Sequence, residues 1–123
     1  MRLPLILATC LLATPAAAFT AQNGLVVEAT GSHSFHVPWR GKSGPAAFWC
    51  AAGDYAIRRL HLAPTALVYR ASEPPRRSGE GIGFTLRPGD AASKTGLAVL
   101  GAKGAGLTAG HAQSFCETRW PRN

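Results

Sequence analysis

Residues 45–61 read PAAFWCAAGDYAIRRLH, and this stretch decides the fold. Pro45 suits the first position of a helix, where a backbone N–H has no intrahelical acceptor, and Ser43 or Gly44 can cap the start. Apolar residues recur at steps of three and four and form one face: Ala46, Trp49, Cys50, Gly53, Ala56, Ile57 and Leu60. The pattern predicts an amphipathic helix over residues 45–61 that Pro64 ends.

Two residues near the middle of this helix lead to further expectations. Gly53 costs about 1 kcal/mol relative to alanine in a helix, and its place on the apolar face predicts a close approach to a sheet. Asp54 and Arg58 lie four residues apart on the other side of the helix, a spacing that allows an ion pair.

The segments on either side of the helix have the composition of short strands. Residues 25–29 and 32–37 precede it, and alternation places Phe35 and Val37 on one face of the second. Four more candidates follow the helix: residues 65–71, 81–87, 96–100 and 111–117. The polar, proline-bearing loop 72–80 joins two of them into a long hairpin. This order predicts an α+β domain, with one main helix packed on a small, mostly antiparallel sheet.

The first 18 residues have the features of a cleavable export signal. Arg2 gives a basic start, residues 3–12 are mostly apolar, and residues 16–18 are the small residues that signal peptidase requires. The apolar run is shorter than the roughly 20 residues that span a bilayer. The alternatives are a membrane anchor, a buried N-terminal strand, or lipidation at Cys10. We predict one domain over residues 19–123 with no membrane span, exported to the periplasm or secreted.

Cleavage leaves two cysteines, Cys50 and Cys116. An even count in an oxidising compartment predicts a disulfide, which closes a loop of roughly 65 residues and is worth about 4 kcal/mol in the chain-entropy model. The alternatives are two free thiols, an intermolecular bridge, or a thiol nucleophile. The last is considered because Cys50 lies in the first turns of a helix, where the dipole lowers a thiol pKa. His111 on a later strand is then its partner. That layout resembles papain-like peptidases and cell-wall amidases, whose sequence signatures are missing around Cys50.

The mature chain is basic. Loss of Arg2 leaves 12 lysines and arginines against six acidic residues, a net charge of +6. Such a surface attracts anionic partners. Four residues are candidates for anion binding, two just before the helix N-terminus and two in the loop 72–80: Arg40, Lys42, Arg76 and Arg77. Solvated surface charge is the alternative for all four.

The sequence predicts no metal or cofactor site and no nucleic-acid partner. Its four histidines lack the spacing of zinc ligands: His33, His36, His61 and His111. Residues 41–43, Gly-Lys-Ser, resemble the end of a P-loop, but the glycine required five positions earlier is replaced by His36. Of the tryptophans, Trp49 fits the core, while Trp39 and Trp120 are either core residues or binding anchors.

Three segments resemble a set of short exported proteins from alphaproteobacteria. They are FWCAAGDYA at 48–56, LVYR at 67–70 and PPRR at 74–77. Those proteins are similar in having a Trp-Cys-Ala-Ala-x-Asp-Tyr-Ala helix and a later cysteine. The resemblance covers most of the mature chain. It implies export and a shared fold, and it implies no activity and no site residues.

These features favour a non-enzymatic binding or accessory protein of the cell envelope, with an anionic envelope component as its partner. A small thiol hydrolase that uses Cys50 and His111 is the second hypothesis. A toxin-like or inhibitory protein that acts outside the cell is the third.

Overall fold

The computed structural model describes residues 18–41, 44–100 and 102–117, and within these residues six strands form one antiparallel sheet. Their order across the sheet is β1-β2-β3-β5-β4-β6. The strands are β1 Phe19–Thr20, β2 Val26–Ala29, β3 Ser34–Val37, β4 Leu67–Arg70, β5 Ile82–Thr85 and β6 Gly106–Thr108. Strands β4 and β5 pair as the predicted hairpin, with Tyr69 opposite Thr85.

The main helix, α1, spans Pro45–Asp54 and continues as a π-helical turn, Tyr55–Arg59. The chain leaves the helix at His61, whose left-handed φ of 57° ends it before Pro64 is reached. Gly44 is the N-cap and makes no side-chain hydrogen bond, and Ser43 lies outside the described residues. The predicted α+β class is confirmed, with a second short helix, α2, at Ala109–Ser114.

Helix α1 is buried on every side rather than on one face. Each residue from Phe48 to Ala56 is buried. The inner face of the sheet covers one side of the helix, where Trp49 packs on Phe84 with 4.9 Å between ring centroids and Tyr55 packs on Phe35 at 4.7 Å. Each fully buried large apolar side chain contributes about 1.5–3 kcal/mol, so this helix is the centre of the core.

Gly53 is where α1 meets α2, and the predicted approach to a sheet is wrong. A Cβ at Gly53 would lie 2.7 Å from the carbonyl oxygen of Ala109 and 2.8 Å from the carbonyl carbon of Ala112, and it would also meet the amide nitrogen of Gln113. The missing side chain therefore lets the two helix backbones touch. Alanines supply the remaining small side chains of this contact: Ala52, Ala56, Ala109 and Ala112.

The predicted ion pair between Asp54 and Arg58 forms, with 3.0 Å between Oδ2 and Nη1. Asp54 does not lie on a solvent-facing side, since its side chain is fully buried. Its carboxylate also accepts hydrogen bonds from the backbone and side-chain nitrogens of Gln22, each at 3.0 Å, and from Gln113 Nε2 at 3.2 Å. These donors satisfy a charge that would be costly to bury alone.

The disulfide between Cys50 and Cys116 is confirmed, with an S–S distance of 2.00 Å and 4.9 Å between Cα atoms. It joins buried α1 to the 3-10 turn Phe115–Glu117 that follows α2. The two helices are therefore held together both by the close approach at Gly53 and by a covalent bond one helical turn away.

Two predicted strands are wrong. Residues 111–117 are helical, because Thr108 Oγ1 accepts a hydrogen bond from the amide of His111 and caps α2, while Ala109 and Ala112 bury one face at helical spacing. Residues 96–100 form no strand, since Gly96 turns the chain with a φ of 79°.

The last strand, β6, lies instead in a glycine-rich part of the chain that was not predicted as a strand. It pairs with β4, and Val68 is opposite Leu107. Gly106 fits there because a Cβ would come within 2.7 Å of the ring of Tyr69. Within the described ranges, no helix is long and apolar enough to cross a membrane.

Replacing Gly53 by alanine tests the contact between the helices. Overpacking against backbone atoms costs typically about 1–3 kcal/mol, and we expect a loss in this range for Gly53→Ala in denaturant unfolding. Gly89→Ala is the control, since nothing lies within 4 Å of its Cβ position. Equal stability of the two variants would contradict the close approach.

Candidate functional site

A cleft of about 530 Å³ opens beside the N-terminal end of α1. Three segments form it: the end of β4 with the loop that follows, the stretch 94–98, and the first residue of α1. We name it the basic cleft, and its lining residues are Pro45, Arg70, Pro74, Pro75, Arg76, Lys94, Gly96, Leu97 and Ala98. Its volume lies in the range of small-ligand sites, about 300–1,000 Å³.

Arg70 is the most buried charged group of the cleft. It is the last residue of β4 and follows Val68 on the inward-facing side of the strand, which leaves it only 2% exposed. Its Nε donates to the carbonyl oxygen of Ser72 at 2.7 Å, and Nη1 makes a long contact of 3.5 Å with the carbonyl of Thr95. No acceptor among the described residues pairs with Nη2.

The positive charge of Arg70 is only weakly compensated. Burial lowers the pKa of its guanidinium, and the neighbouring Arg76 lowers this pKa further, while Glu73 acts in the opposite direction. Arginine nevertheless stays protonated in proteins. A buried cation of this kind is stabilised by any anion that enters the cleft.

Gly96 makes room for this guanidinium. A Cβ at this position would meet Arg70 Nη1, and the φ of 79° is one that residues with side chains rarely adopt. Thr95, immediately before it, is buried and accepts a hydrogen bond from Trp49 Nε1 at 3.1 Å. The segment that forms one wall of the cleft is therefore fixed to the core helix.

Arg76 is held in place on the opposite wall. Its Nη1 donates to the carbonyl oxygens of Arg77 at 3.2 Å and of Glu80 at 2.9 Å. Its guanidinium carbon also lies 5.1 Å from the ring centroid of Phe48, a cation–π distance. These contacts order the loop 72–80 and keep the charge of Arg76 at the cleft.

Glu73 connects the two walls without lining the cleft. Its carboxylate accepts hydrogen bonds from the amide of Ser93 at 2.8 Å and from its hydroxyl at 2.7 Å. These hydrogen bonds hold the pKa of the Glu73 carboxyl below its usual value, with smaller contributions from Lys94 and Arg70. Among the described residues, the charged side chains that line the cleft are all cationic: Arg70, Arg76 and Lys94.

The structure brings one of the four predicted anion-binding residues to this site. Arg76 lines the cleft, whereas Arg77 and Arg40 are exposed and do not line it, and Lys42 lies outside the described residues. Arg70 and Lys94 are missed by sequence reasoning. For Arg70 the sequence does contain a sign: it lies two residues after Val68, on the inward-facing side of the strand, where an apolar residue is expected.

The residues of the thiol hypothesis lie elsewhere. Cys50 is fully buried and its sulfur is bonded to Cys116. His111 lies on α2, and its ring stacks on Phe115 with 5.6 Å between centroids.

The two tryptophans that the structure describes do not line the cleft either. Trp49 is in the core as predicted, and Trp39 is 42% exposed. Trp120 lies outside the described residues.

The other histidines show no shared site. His33 hydrogen bonds to Ser32, and His36 lies beside Gly81 at the surface of the sheet. Within the part of the chain that the structure describes, no group of three or more histidine, cysteine, aspartate or glutamate residues is placed to hold a metal ion.

Comparison with known proteins adds no neighbour to this picture. No family model, no curated protein and no solved structure matches the chain. The geometry of the cleft therefore carries the functional argument.

The link between Glu73 and Ser93 predicts a pH dependence. Because the pKa of Glu73 is lowered in the folded protein, its contribution to stability is full above the ordinary value of 4.5 and is lost as the pH falls through the lowered pKa. We expect a carbon-13 NMR titration of the Glu73 carboxyl to have its midpoint below 4.5. In Ser93→Ala the midpoint should rise toward 4.5, and identical midpoints would contradict the link.

Proposed function

We propose that this protein is a small exported binding protein that holds anionic groups of the cell envelope in its basic cleft. The observation that carries the proposal is the convergence of Arg70, Arg76 and Lys94 on one cleft, with Arg70 buried. Ordinary surface charge does not need a buried guanidinium, whereas an anion receptor gains from one because the local dielectric is low.

Two observations support export. The chain begins with the pattern of a cleavable leader, although residues 1–17 lie outside the described structure. The Cys50–Cys116 disulfide fits an oxidising compartment such as the periplasm or the medium. A partner rich in negative charge fits the net charge of +6 that remains when Arg2 is lost with the leader.

The lining of the cleft favours binding over catalysis. Its nine described lining residues are prolines, small or aliphatic residues and three cations. Arginine does not act as a general base because it remains protonated, and among the described residues the lining holds no hydroxyl, thiol or imidazole. The second hypothesis, a thiol hydrolase, has no support from the structure, since the Cys50 sulfur is occupied in the disulfide.

A matched pair of variants tests this proposal. Arg76→Gln and Arg77→Gln remove the same charge from adjacent residues, but only Arg76 lines the cleft. We expect cosedimentation with lipopolysaccharide or isolated peptidoglycan to weaken at least fivefold in Arg76→Gln, and less than twofold in Arg77→Gln. Binding should also weaken with added salt, because charged contacts are screened.

As a control, far- and near-ultraviolet circular dichroism must show that both variants keep the original fold. Equal losses in the two variants would assign the binding to general surface charge and contradict a role for the cleft. Unchanged binding in both variants would also contradict a role for the cleft.

A further inference from the structure

We infer that the group bound in the basic cleft is a phosphomonoester, carried on a body that presents apolar or C–H surface. This inference rests on the proposed function, which requires only an anion. It adds the charge, the number of acceptor atoms and the nature of the attached body.

The charge balance favours a dianion. Three cations line the cleft. One carboxylate, that of Glu73, lies close enough to raise the pKa of Arg70, and it accepts a hydrogen bond from Ser93. The four charges sum to +2. A phosphomonoester carries a charge of about −1.5 to −2 near neutral pH, whereas a carboxylate carries −1 and leaves one cation without a counter-charge.

The unused donors also favour a phosphoryl group. Among the described residues, no acceptor pairs with Nη2 of Arg70 or with Nε and Nη2 of Arg76. Lys94 adds an exposed ammonium group. Three terminal phosphoryl oxygens can accept from three such groups, while a carboxylate offers two oxygens.

The rest of the lining indicates what carries the phosphoryl group. The cations share the cleft with apolar residues: Pro45, Pro74, Pro75, Leu97 and Ala98. Free phosphate would leave this surface uncovered. A ring or an alkyl chain attached to the phosphoryl oxygen would cover it and add hydrophobic affinity.

Three soluble probes test this inference: phenyl phosphate, benzoate and inorganic phosphate. Each is titrated into the nitrogen-15-labelled mature protein at pH 7.5, with backbone and arginine side-chain NMR shifts as readout. We expect phenyl phosphate to bind at the cleft at least tenfold more tightly than benzoate, and at least threefold more tightly than inorganic phosphate.

Lowering the pH to 5 should weaken phenyl phosphate binding by up to about tenfold, because its second pKa is about 6 and the dianion is then the minor form. Among the described residues, the charged groups that line the site are Arg70, Arg76 and Lys94, and Glu73 lies close enough to raise the pKa of Arg70. The Glu73 carboxyl stays ionised because its pKa is lowered. Benzoate binding should therefore change less than phenyl phosphate binding.

Lys94→Gln is the cleft variant for this experiment, since its exposed side chain places the fold at little risk. Lys103→Gln is the matched control, an exposed lysine that does not line the cleft. We expect a loss of at least threefold in phenyl phosphate affinity for Lys94→Gln and none for Lys103→Gln.

Vesicles containing phosphatidic acid distinguish the two sources of a phosphomonoester, a lipid headgroup and a soluble molecule. Binding to the vesicles that phenyl phosphate displaces supports a lipid headgroup, and no binding supports a soluble phosphomonoester.

The failures are distinguishable. If benzoate binds the cleft as tightly as phenyl phosphate, the phosphomonoester is overturned and the anion-binding function remains. If inorganic phosphate binds as tightly, the apolar body is overturned. If no probe shifts the cleft resonances and Arg76→Gln leaves polymer binding unchanged, the inference and the proposed function both fail.

Discussion

The rest of the structure depends on the burial of the main helix from Phe48 to Ala56. A helix with nine consecutive buried residues, Phe48 to Ala56, cannot rest on a sheet alone, because a sheet covers one side. The second side is covered by α2, whose backbone touches Gly53 and which the disulfide fastens near Cys50. The polar groups of α1 must then find partners inside the protein, and Asp54 does so with four hydrogen bonds.

The same constraint positions the basic cleft. The indole N–H of buried Trp49 requires an acceptor, and it finds the carbonyl of Thr95, which fixes the segment that contains Gly96 and Leu97. Phe48, one residue earlier, supplies the ring on which Arg76 rests. Both walls of the cleft are thus attached to the first turns of α1, whose N-terminal end carries partial positive charge.

The spacing of residues along the chain predicts the parts of the fold that depend on local sequence. The helix start at Pro45, the hairpin around residues 72–80, the shared face of Phe35 and Val37 and the Asp54–Arg58 pair all follow from spacing along the chain. The pairing of Cys50 with Cys116 follows from the even count of cysteines that the predicted leader leaves behind. These features need no knowledge of which elements meet.

The features that were missed depend on tertiary contacts. The stretch 111–117 has β-compatible composition, and it becomes a helix because Gly53 and the alanines of α1 offer a surface for Ala109 and Ala112. Arg70 lies in the predicted strand 65–71, and its burial follows only from the packing of that strand, since it lies on the same inward-facing side as Val68. Lys94 becomes a candidate binding residue only because the fold brings it to the same cleft as Arg70 and Arg76. No local pattern in the sequence connects these three residues.

The central claim is that Arg70 serves binding rather than stability, and Arg70→Met tests it most directly. Methionine fills a similar space without the cost of burying a guanidinium beside Arg76. The account predicts a free energy of unfolding that rises or stays within about 1 kcal/mol of the original, together with loss of anion binding. A variant that unfolds, or that loses more than about 2 kcal/mol because the Ser72 carbonyl has lost its donor, would contradict the account and make Arg70 a structural residue.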